Sequence, residues 1–256
     1  MVDSQRSTRV DVTLVTGGKY HDFDFARLEL LRMLAEHEEI RVRVQPDYED
    51  TDAIASGSIL VSYTCDVRPS TAAQHAIGSW VGSGARWLAL HGTNAALDLD
   101  APTGVDAPNV FPLWTEMLGS RFVAHPPIQP YTVEVSAPEH WLVRGLSSFE
   151  TDDELYLCEY SDRASLEPLL HTVWRGEAPG FVQADWATAN PNHLVMYLRQ
   201  LGHGSILYNT LGHCRGHFDM TPRLAYYPRV ERGSWSIPTY YELLRRSLRW
   251  AKGQTT

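Results

Sequence analysis

Residues 86–97, RWLALHGTNAAL, decide the fold. An apolar run ends in a Gly-containing turn and continues into a segment compatible with a helix. Strand, sharp turn and helix form the corner that presents a nucleophilic Ser or Cys in many α/β enzymes. Here the corner residue is His91. The stretch therefore predicts an α/β fold whose corner carries an imidazole, either as a base or metal ligand or as a hydrogen-bonding brace for its own turn.

Strand and helix patterns alternate through the first half of the chain. Short apolar runs predict strands, and apolar residues at helical spacing predict helices. The predicted strands cover residues 10–15, 40–44, 58–63 and 86–90, and the predicted helices cover 25–37 and 71–82, the second one capped by Ser70. This alternation is typical of a mainly parallel central sheet covered by helices on both faces.

The second half is less regular but still rich in strands. Strand patterns occur at residues 131–136, 154–159, 170–174, 194–198 and 205–209, and an amphipathic helix closes the chain at 240–252. We expect some of these strands to extend the sheet and others to add to it antiparallel. Because no linker or repeat interrupts the pattern, we predict a single domain over residues 9–253, with flexible termini at 1–8 and 254–256.

Composition excludes several classes of function. The 256 residues carry a formal net charge of -9, which argues against nucleic acid or an anionic membrane as a partner. The polar N-terminus lacks the apolar core of a signal peptide, so we expect a cytoplasmic protein. Three cysteines without a CxxC motif predict neither a disulfide framework nor a thiolate zinc site. The lack of GxGxxG and P-loop motifs predicts that no nucleotide cofactor binds.

Polar loops follow the predicted strand ends. In a parallel α/β sheet, ligands gather at the carboxyl ends of the strands, so we expect these loops to meet in one cleft. Backbone amides after the corner can also bind an anion at a helix start. The candidate substrate-binding residues in these loops are Lys19, His21 and Asp22 after the first strand, and Thr93 and Asn94 after the corner.

The sequence HCRGH places His213 and His217 four residues apart, a spacing that can hold a metal, although Gly216 disfavours a helix there. Catalytic zinc usually has three protein ligands, so a further ligand must come from another loop. The candidates are His21, His91, His125, Asp153 and Glu154. The last two belong to TDDELY (151–156), which predicts a metal or sugar site or a solvated turn.

Several segments together resemble the ThuA-like, or trehalose-utilisation, family. They are VTGGKYHDF (15–23), ALHGTNAA (89–96), FVAHPPIQPYTVEV (122–135), EHWLVRGLSSFETDDELY (139–156), GHGSILYNTLGH (202–213) and RWAKG (249–253). Their order holds over about residues 10–253. The resemblance implies a flavodoxin-like three-layer α/β/α sandwich with a mainly parallel sheet, as in class I glutamine amidotransferases.

That relationship implies a changed chemistry at the corner. Glutamine amidotransferases carry a Cys there, and a later strand ends in a His followed two residues on by a Glu. In this chain the corresponding residues are His91, His213 and Arg215. Without a thiolate no thioester forms, and without the carboxylate the imidazole lacks its usual orienting partner. We therefore predict that the protein is not a glutaminase.

The resemblance implies a disaccharide or keto-sugar substrate, and Trp186 is a candidate stacking face for it. Our leading hypothesis is an enzyme in which His91, His213 and Asp153 are catalytic and Glu154 binds substrate. A divalent metal, zinc first and manganese second, would be held by His91, His213, His217 and His125. The alternatives are metal-free His/Asp proton transfer, a non-catalytic binding or partner protein, and a thiol hydrolase using Cys65 or Cys214. We also expect a homodimer.

Overall fold

The computed structural model describes residues 9–254, and a nine-stranded sheet runs through it. The termini predicted to be flexible lie outside the described residues except for Gln254. Along the sheet the order is β2-β1-β3-β4-β11-β10-β9-β6-β7, and β5 pairs with β8 in a separate antiparallel sheet. The strands are β1 (Val10–Gly18), β2 (Ile40–Gln45), β3 (Ile59–Cys65), β4 (Arg86–Leu90), β5 (Ser120–Ala124), β6 (Gln129–Val135), β7 (Phe149–Asp153), β8 (Leu157–Tyr160), β9 (Leu166–Val173), β10 (Asn192–Leu201) and β11 (Gly204–Asn209).

Helices cover both faces of this sheet. One core joins Leu14 of β1 to the apolar sides of the first and last helices, and a second core joins Val15 to Ile77 and Trp114 on the other face. Neighbouring residues of β1 thus point to opposite cores, as a doubly covered strand requires. The helices are α1 (Phe23–Leu34), α2 (Thr51–Ala55), α3 (Thr71–Gly82), α4 (Pro112–Leu118), α5 (Trp186–Ala189) and α6 (Pro238–Ala251).

The parallel half of the sheet confirms the predicted mainly parallel α/β sandwich. Strands β2, β1, β3, β4 and β11 pair in parallel, so their carboxyl ends share one edge. The predicted cap of α3 is present, because the Ser70 side chain accepts the N–H of Ala73. At the end of β1, Gly18 has φ +119, and a Cβ there would lie 1.9 Å from the Cys65 carbonyl oxygen. Only glycine fits that turn.

The antiparallel half brings a further chain segment to the same edge. Strand β10 pairs antiparallel with β11 and β9, and β6 pairs antiparallel with β9 at Glu134 and Val135. The end of β7 lies against the loop after β11, because the Asp153 side chain accepts the N–H groups of Gly212 and His213. The residue after β7, Glu154, is therefore delivered to the carboxyl edge of the parallel strands.

Two predictions about local structure are wrong. No helix follows the corner directly: His91–Asn94 forms one 3₁₀ turn, Ala95 is extended, and the next helix begins at Pro112. The strand predicted at residues 154–159 is also misplaced: β8 covers only Leu157–Tyr160, and a separate strand, β7, ends before it at Asp153. No helix within residues 9–254 has the length and apolar character needed to cross a membrane.

Candidate metal centre

Four buried side chains meet where β1, β4, β7 and β11 end. They are His21, His91, Glu154 and His213, and each offers a ligand atom within 4.8 Å of all the others. The two Nε2 atoms of His21 and His91 are 2.9 Å apart. The Oε2 atom of Glu154 lies 3.4 Å from Nε2 of His91, and its Oε1 atom lies 3.1 Å from Nδ1 of His213. Three imidazoles and one carboxylate form a donor set that suits zinc.

The outer ring nitrogen of each imidazole is held by an acceptor. Nδ1 of His21 lies 3.2 Å from the Lys19 carbonyl oxygen, and Nδ1 of His91 lies 2.8 Å from that of Thr210. Because a carbonyl oxygen only accepts, both rings carry their proton on Nδ1 and direct Nε2 inwards. This is the orientation that backbone carbonyls impose on metal-binding histidines.

The inward-facing nitrogens are incompletely paired, and His91 has only the Tyr156 hydroxyl at 3.2 Å besides His21. If both rings are neutral, the Nε2 atoms of His21 and His91 present lone pairs to each other, so their contact requires a proton or a cation between them. Nδ1 of His213 is buried and has no hydrogen-bond partner, although Oε1 of Glu154 lies 3.1 Å away. Buried polar atoms rarely remain unpaired. A metal ion would satisfy all these atoms at once.

Burial and charge act in opposite directions within the cluster. Burial lowers the pKa of His21 to about 3, so this ring is neutral. Burial also disfavours a charge on His213, but the neighbouring carboxylates of Glu154 and Glu231 outweigh it and raise that pKa to about 9. Burial would raise the pKa of Glu154, yet the charge of His213 holds it well below its usual range. Glu154 is therefore ionised, as a metal ligand must be.

The corner itself directs His91 into the cluster. His91 has φ +46, a left-handed conformation that is uncommon outside glycine. A Cβ on Gly92 would lie 2.6 Å from the Thr64 carbonyl oxygen, so the turn packs directly on β3. The hydroxyl of Tyr156 lies 3.2 Å from Nε2 of His91. The corner thus presents an imidazole where other enzymes present a nucleophile.

Three further side chains, those of His125, Arg215 and Glu231, lie next to the cluster. Nε2 of His125 lies 3.6 Å from Oε1 of Glu154, while its Nδ1 bonds the Pro126 carbonyl oxygen at 2.8 Å. Arg215 donates to Glu154 at 3.2 Å and to Glu231 at 2.9 Å. His125, predicted as a metal ligand, thus lies beside the four-residue cluster and keeps an unprotonated Nε2, and burial lowers its pKa.

Asp153, predicted to be catalytic, lies behind the cluster. Its carboxylate is fully buried and accepts four backbone N–H groups, so no oxygen is left for chemistry. Two of these N–H groups belong to Glu154 and His213, which are themselves members of the cluster. The solvated turn considered for this acidic segment is wrong, because Thr151, Asp153 and Glu154 are buried.

The remaining predicted site residues lie elsewhere. Lys19 pairs with Asp66 at 2.7 Å. Asp22 caps α1 and pairs with Arg232 at 3.1 Å. Nδ1 of His217 bonds the Tyr227 carbonyl oxygen, and its ring stacks on Tyr226. The structure therefore does not bring His217 to the other histidines.

Three further residues that were predicted to bind substrate make their contacts outside the cluster. Thr93 and Asn94 are buried; the Thr93 hydroxyl donates to the Leu90 carbonyl oxygen, and the Asn94 side chain donates to Ser120. The Asn94 N–H is bound by the Tyr208 hydroxyl, so it is not free to bind an anion. Trp186 begins α5 and lines a different cavity, together with Tyr160 and Arg163.

Sequence reasoning missed the carboxylate that orients His213. Arg215 does stand where a Glu would follow in a glutaminase, but Oε2 of Glu231 lies 2.9 Å from Nε2 of His213. The expectation of an unpartnered imidazole is therefore wrong. Glu231 comes 18 residues later in an irregular segment, and no pattern in the sequence connects it with His213. Tyr156 was missed as well, although it follows Glu154 by two residues.

The cysteines do not resemble nucleophiles. Cys65, Cys158 and Cys214 are buried and form no disulfide. Burial raises the pKa of the Cys65 thiol well above its usual range and that of Cys214 to about 12. Thiolates are the reactive form, so the burial and the raised pKa values of these thiols argue against a thiol hydrolase.

Two cavities reach the cluster. One of about 240 Å³ is lined by His21, Glu154 and Tyr156, and one of about 880 Å³ is lined by His213 and Glu231. His125 and Arg215 line both of them. Small-molecule sites commonly measure about 300–1,000 Å³ and combine apolar walls with a few polar groups. The cluster is thus accessible to a ligand from two sides.

Comparison with known proteins places the chain in a family. The sequence matches the family described as ThuA, trehalose utilisation, over residues 11–225. A ThuA-like protein from Bacteroides uniformis ATCC 8492 superposes with a TM-score of 0.67 at 16% identity, covering 96% of this chain and 92% of that chain. Another, from Parabacteroides merdae ATCC 43184, superposes at 0.63 with 13% identity, covering 97% and 92%.

A third similar structure is the cold-adapted β-galactosidase from Rahnella sp. R3. Its TM-score is 0.53 at 13% identity, and the match covers 79% of this chain but 29% of that chain. Likeness at this identity concerns the fold alone. None of the curated proteins matches the sequence significantly.

Proposed function

This chain belongs to the ThuA family, and we propose that it is a metal-dependent enzyme acting on a small carbohydrate-like substrate. The observation that carries the proposal is the convergence of three imidazoles and one carboxylate, all buried, with the outer nitrogen of every imidazole held by an acceptor. Such outer contacts fix histidine tautomers in metal sites. The ligands are His21, His91, His213 and Glu154.

The donor set favours zinc and, after it, manganese. Imidazole-rich sites suit zinc, whereas manganese prefers more oxygen ligands. Of the four ligands predicted from sequence, the proposal keeps His91 and His213, and it takes His21 and Glu154 from the candidates for a further ligand. It leaves out His217, whose Nδ1 bonds the Tyr227 carbonyl oxygen, and His125, which lies beside the cluster. When bound, such a metal polarises a substrate carbonyl or lowers the pKa of a water molecule.

The surrounding residues have distinct tasks in this proposal. His125 has an unprotonated Nε2 beside the cluster and an Nδ1 fixed by Pro126, so it can take a proton from the substrate. The Tyr156 hydroxyl can donate one. Arg215 lines both cavities and can hold an anionic or carbonyl oxygen. Asp153 holds the two backbone segments that carry Glu154 and His213.

Family membership supports the carbohydrate part of the proposal, since the family is described by trehalose utilisation. The larger cavity adds charged and hydroxyl-bearing side chains that can bind sugar hydroxyls, among them Glu150, Asp152 and Ser236. A cytoplasmic location agrees with three unpaired cysteines. A homodimer remains a proposal, based on the frequency of symmetric dimers among soluble oligomers.

Metal analysis of protein purified without a His tag tests the proposal. We expect about one equivalent of zinc per chain and a rise in the thermal unfolding temperature when zinc is added to stripped protein. The His91→Ala variant should lose both, and the matched His75→Ala variant, altered at an exposed position of α3, should lose neither. Less than about a tenth of an equivalent, with no response to zinc or manganese, would reject the metal.

One observation favours a second candidate, metal-free acid–base catalysis. The charge of Glu154 raises the pKa of His213, and the two atoms facing each other are 3.1 Å apart, as in a buried ion pair. Such a pair can transfer a proton next to a sugar ketone. Under this alternative, stripped protein keeps its full turnover of an activated sugar substrate, and zinc does not change it.

A further inference from the structure

We infer that the substrate carries an apolar, ring-sized group next to its polar part, an inference that rests on the proposed function. The two cavities that reach the cluster differ sharply in their walls. The smaller one is mostly apolar beyond the cluster, whereas the larger one combines an apolar part with many charged and polar side chains. A substrate that occupies both cavities must therefore have an apolar part and a polar part.

The smaller cavity is shaped for an apolar group. His21, Glu154 and Tyr156 stand at the cluster, and much of the remaining wall consists of Leu97, Leu99, Val105, Phe122, Phe181 and Met220. The rings of Phe122 and Phe181 lie 5.8 Å apart at 67° to each other. An apolar cavity of about 150 Å³ holds benzene, so about 240 Å³ accommodates a substituted ring.

A sugar ring does not suit these walls. Each hydroxyl group placed against aliphatic or phenyl side chains loses its water without gaining a hydrogen-bond partner. The larger cavity offers such partners, because Glu150, Asp152 and Arg229 line it. We therefore assign the hydroxylated part of the substrate to the larger cavity and its apolar substituent to the smaller one.

The residues shared by the two cavities mark where the parts join. His125 and Arg215 line both cavities, and each lies within 4 Å of Glu154. The bond between the polar part and the apolar substituent then passes the proposed metal and the unprotonated nitrogen of His125. A glycoside with an aryl group, or its keto derivative, has this construction.

Calorimetric titration with paired probes tests the inference. The probes are the phenyl and methyl glycosides of glucose, galactose, mannose and xylose. In at least one pair we expect the phenyl compound to bind roughly tenfold more tightly, as burial of the ring predicts. Leu99→Trp fills the smaller cavity and should abolish that difference. Phe218→Trp, at a position 69% exposed and outside both cavities, should preserve it.

Two results would overturn the inference: equal affinities within all four pairs, or a phenyl preference that survives in Leu99→Trp. Phe181→Ser, which removes an aromatic ring from the wall of the smaller cavity, supplies an independent variant and should weaken only the phenyl compounds. Zinc content is measured on the same preparations. Zinc without any phenyl preference rejects this inference alone, whereas a phenyl preference without zinc rejects the proposed metal enzyme alone.

Discussion

Replacing Asp153 by Asn tests whether this residue supports the centre rather than reacting in it. The carboxylate is fully buried. Oδ1 accepts the N–H groups of Glu154 at 2.7 Å and His213 at 3.0 Å, and Oδ2 accepts those of Gly212 at 2.9 Å and Ser234 at 2.8 Å. One side chain therefore joins the ends of β7 and β11 to the segment before α6.

The magnitude follows from the geometry of the substitution. Asn keeps one oxygen and places an NH₂ group where the other stood, so two of the four N–H donors face another donor. A hydrogen bond to a charged group contributes about 1.5–3 kcal/mol, and a buried unpaired donor is costly. We therefore expect Asp153→Asn to lower the free energy of unfolding by about 3–6 kcal/mol, a large part of a typical total.

Urea denaturation of metal-free protein measures this loss. Asp152→Asn is the matched control, because Asp152 is the neighbouring acid on the same strand and is exposed. We expect the control to stay within about 0.5 kcal/mol of the wild type. If the free energy of unfolding of Asp153→Asn lies within about 1 kcal/mol of that of the control, the four backbone hydrogen bonds stabilise the protein less than we expect.

Three further predictions concern other parts of the molecule. Glu231→Gln should weaken zinc binding by about 10- to 100-fold, as loss of an orienting carboxylate does; unchanged affinity in a zinc titration would contradict the role of Glu231. Burial lowers the pKa of His193 to about 4, so between pH 6.5 and 4 the unfolded chain binds a proton at this residue that the folded chain does not. As the pH is lowered through that window, the free energy of unfolding should fall by up to about 3 kcal/mol more in the wild type than in His193→Gln. Parallel pH dependences of the two unfolding free energies would refute this. The buried thiols should resist iodoacetamide at pH 8 until the protein unfolds, and mass spectrometry showing rapid labelling of Cys65 in native protein would revive the thiol alternative.

The parallel half of the sheet and three of the four proposed ligands could be predicted from simple patterns. Strands β1, β3 and β4 are buried on both faces, so they occur as apolar runs that end in Gly or polar residues. Parallel strands end at one edge, and this places His91 and His213 near each other without any knowledge of side-chain contacts. The same argument brings His21 to that edge.

The other features of the site depend on tertiary contacts that produce no pattern in the local sequence. Strand β7 has the sequence FETDD, whose acidic residues suggest a turn; one of them is buried because it binds backbone N–H groups. Glu231 reaches His213 from an irregular segment. The turn after His91 resembles a helix start in sequence, yet Ala95 is extended. Tertiary packing determines all three, and a periodicity argument cannot detect it.

Zinc-edge X-ray absorption on untagged, zinc-loaded protein tests the central claim most directly. The account predicts a first shell of nitrogen and oxygen atoms at about 2.0–2.1 Å, with the multiple-scattering pattern of about three imidazoles and no sulfur at about 2.3 Å. His91→Ala protein, which should not retain zinc, should not give this pattern. A shell with sulfur, or one with oxygen ligands and no imidazole, would contradict a centre built from His21, His91, His213 and Glu154.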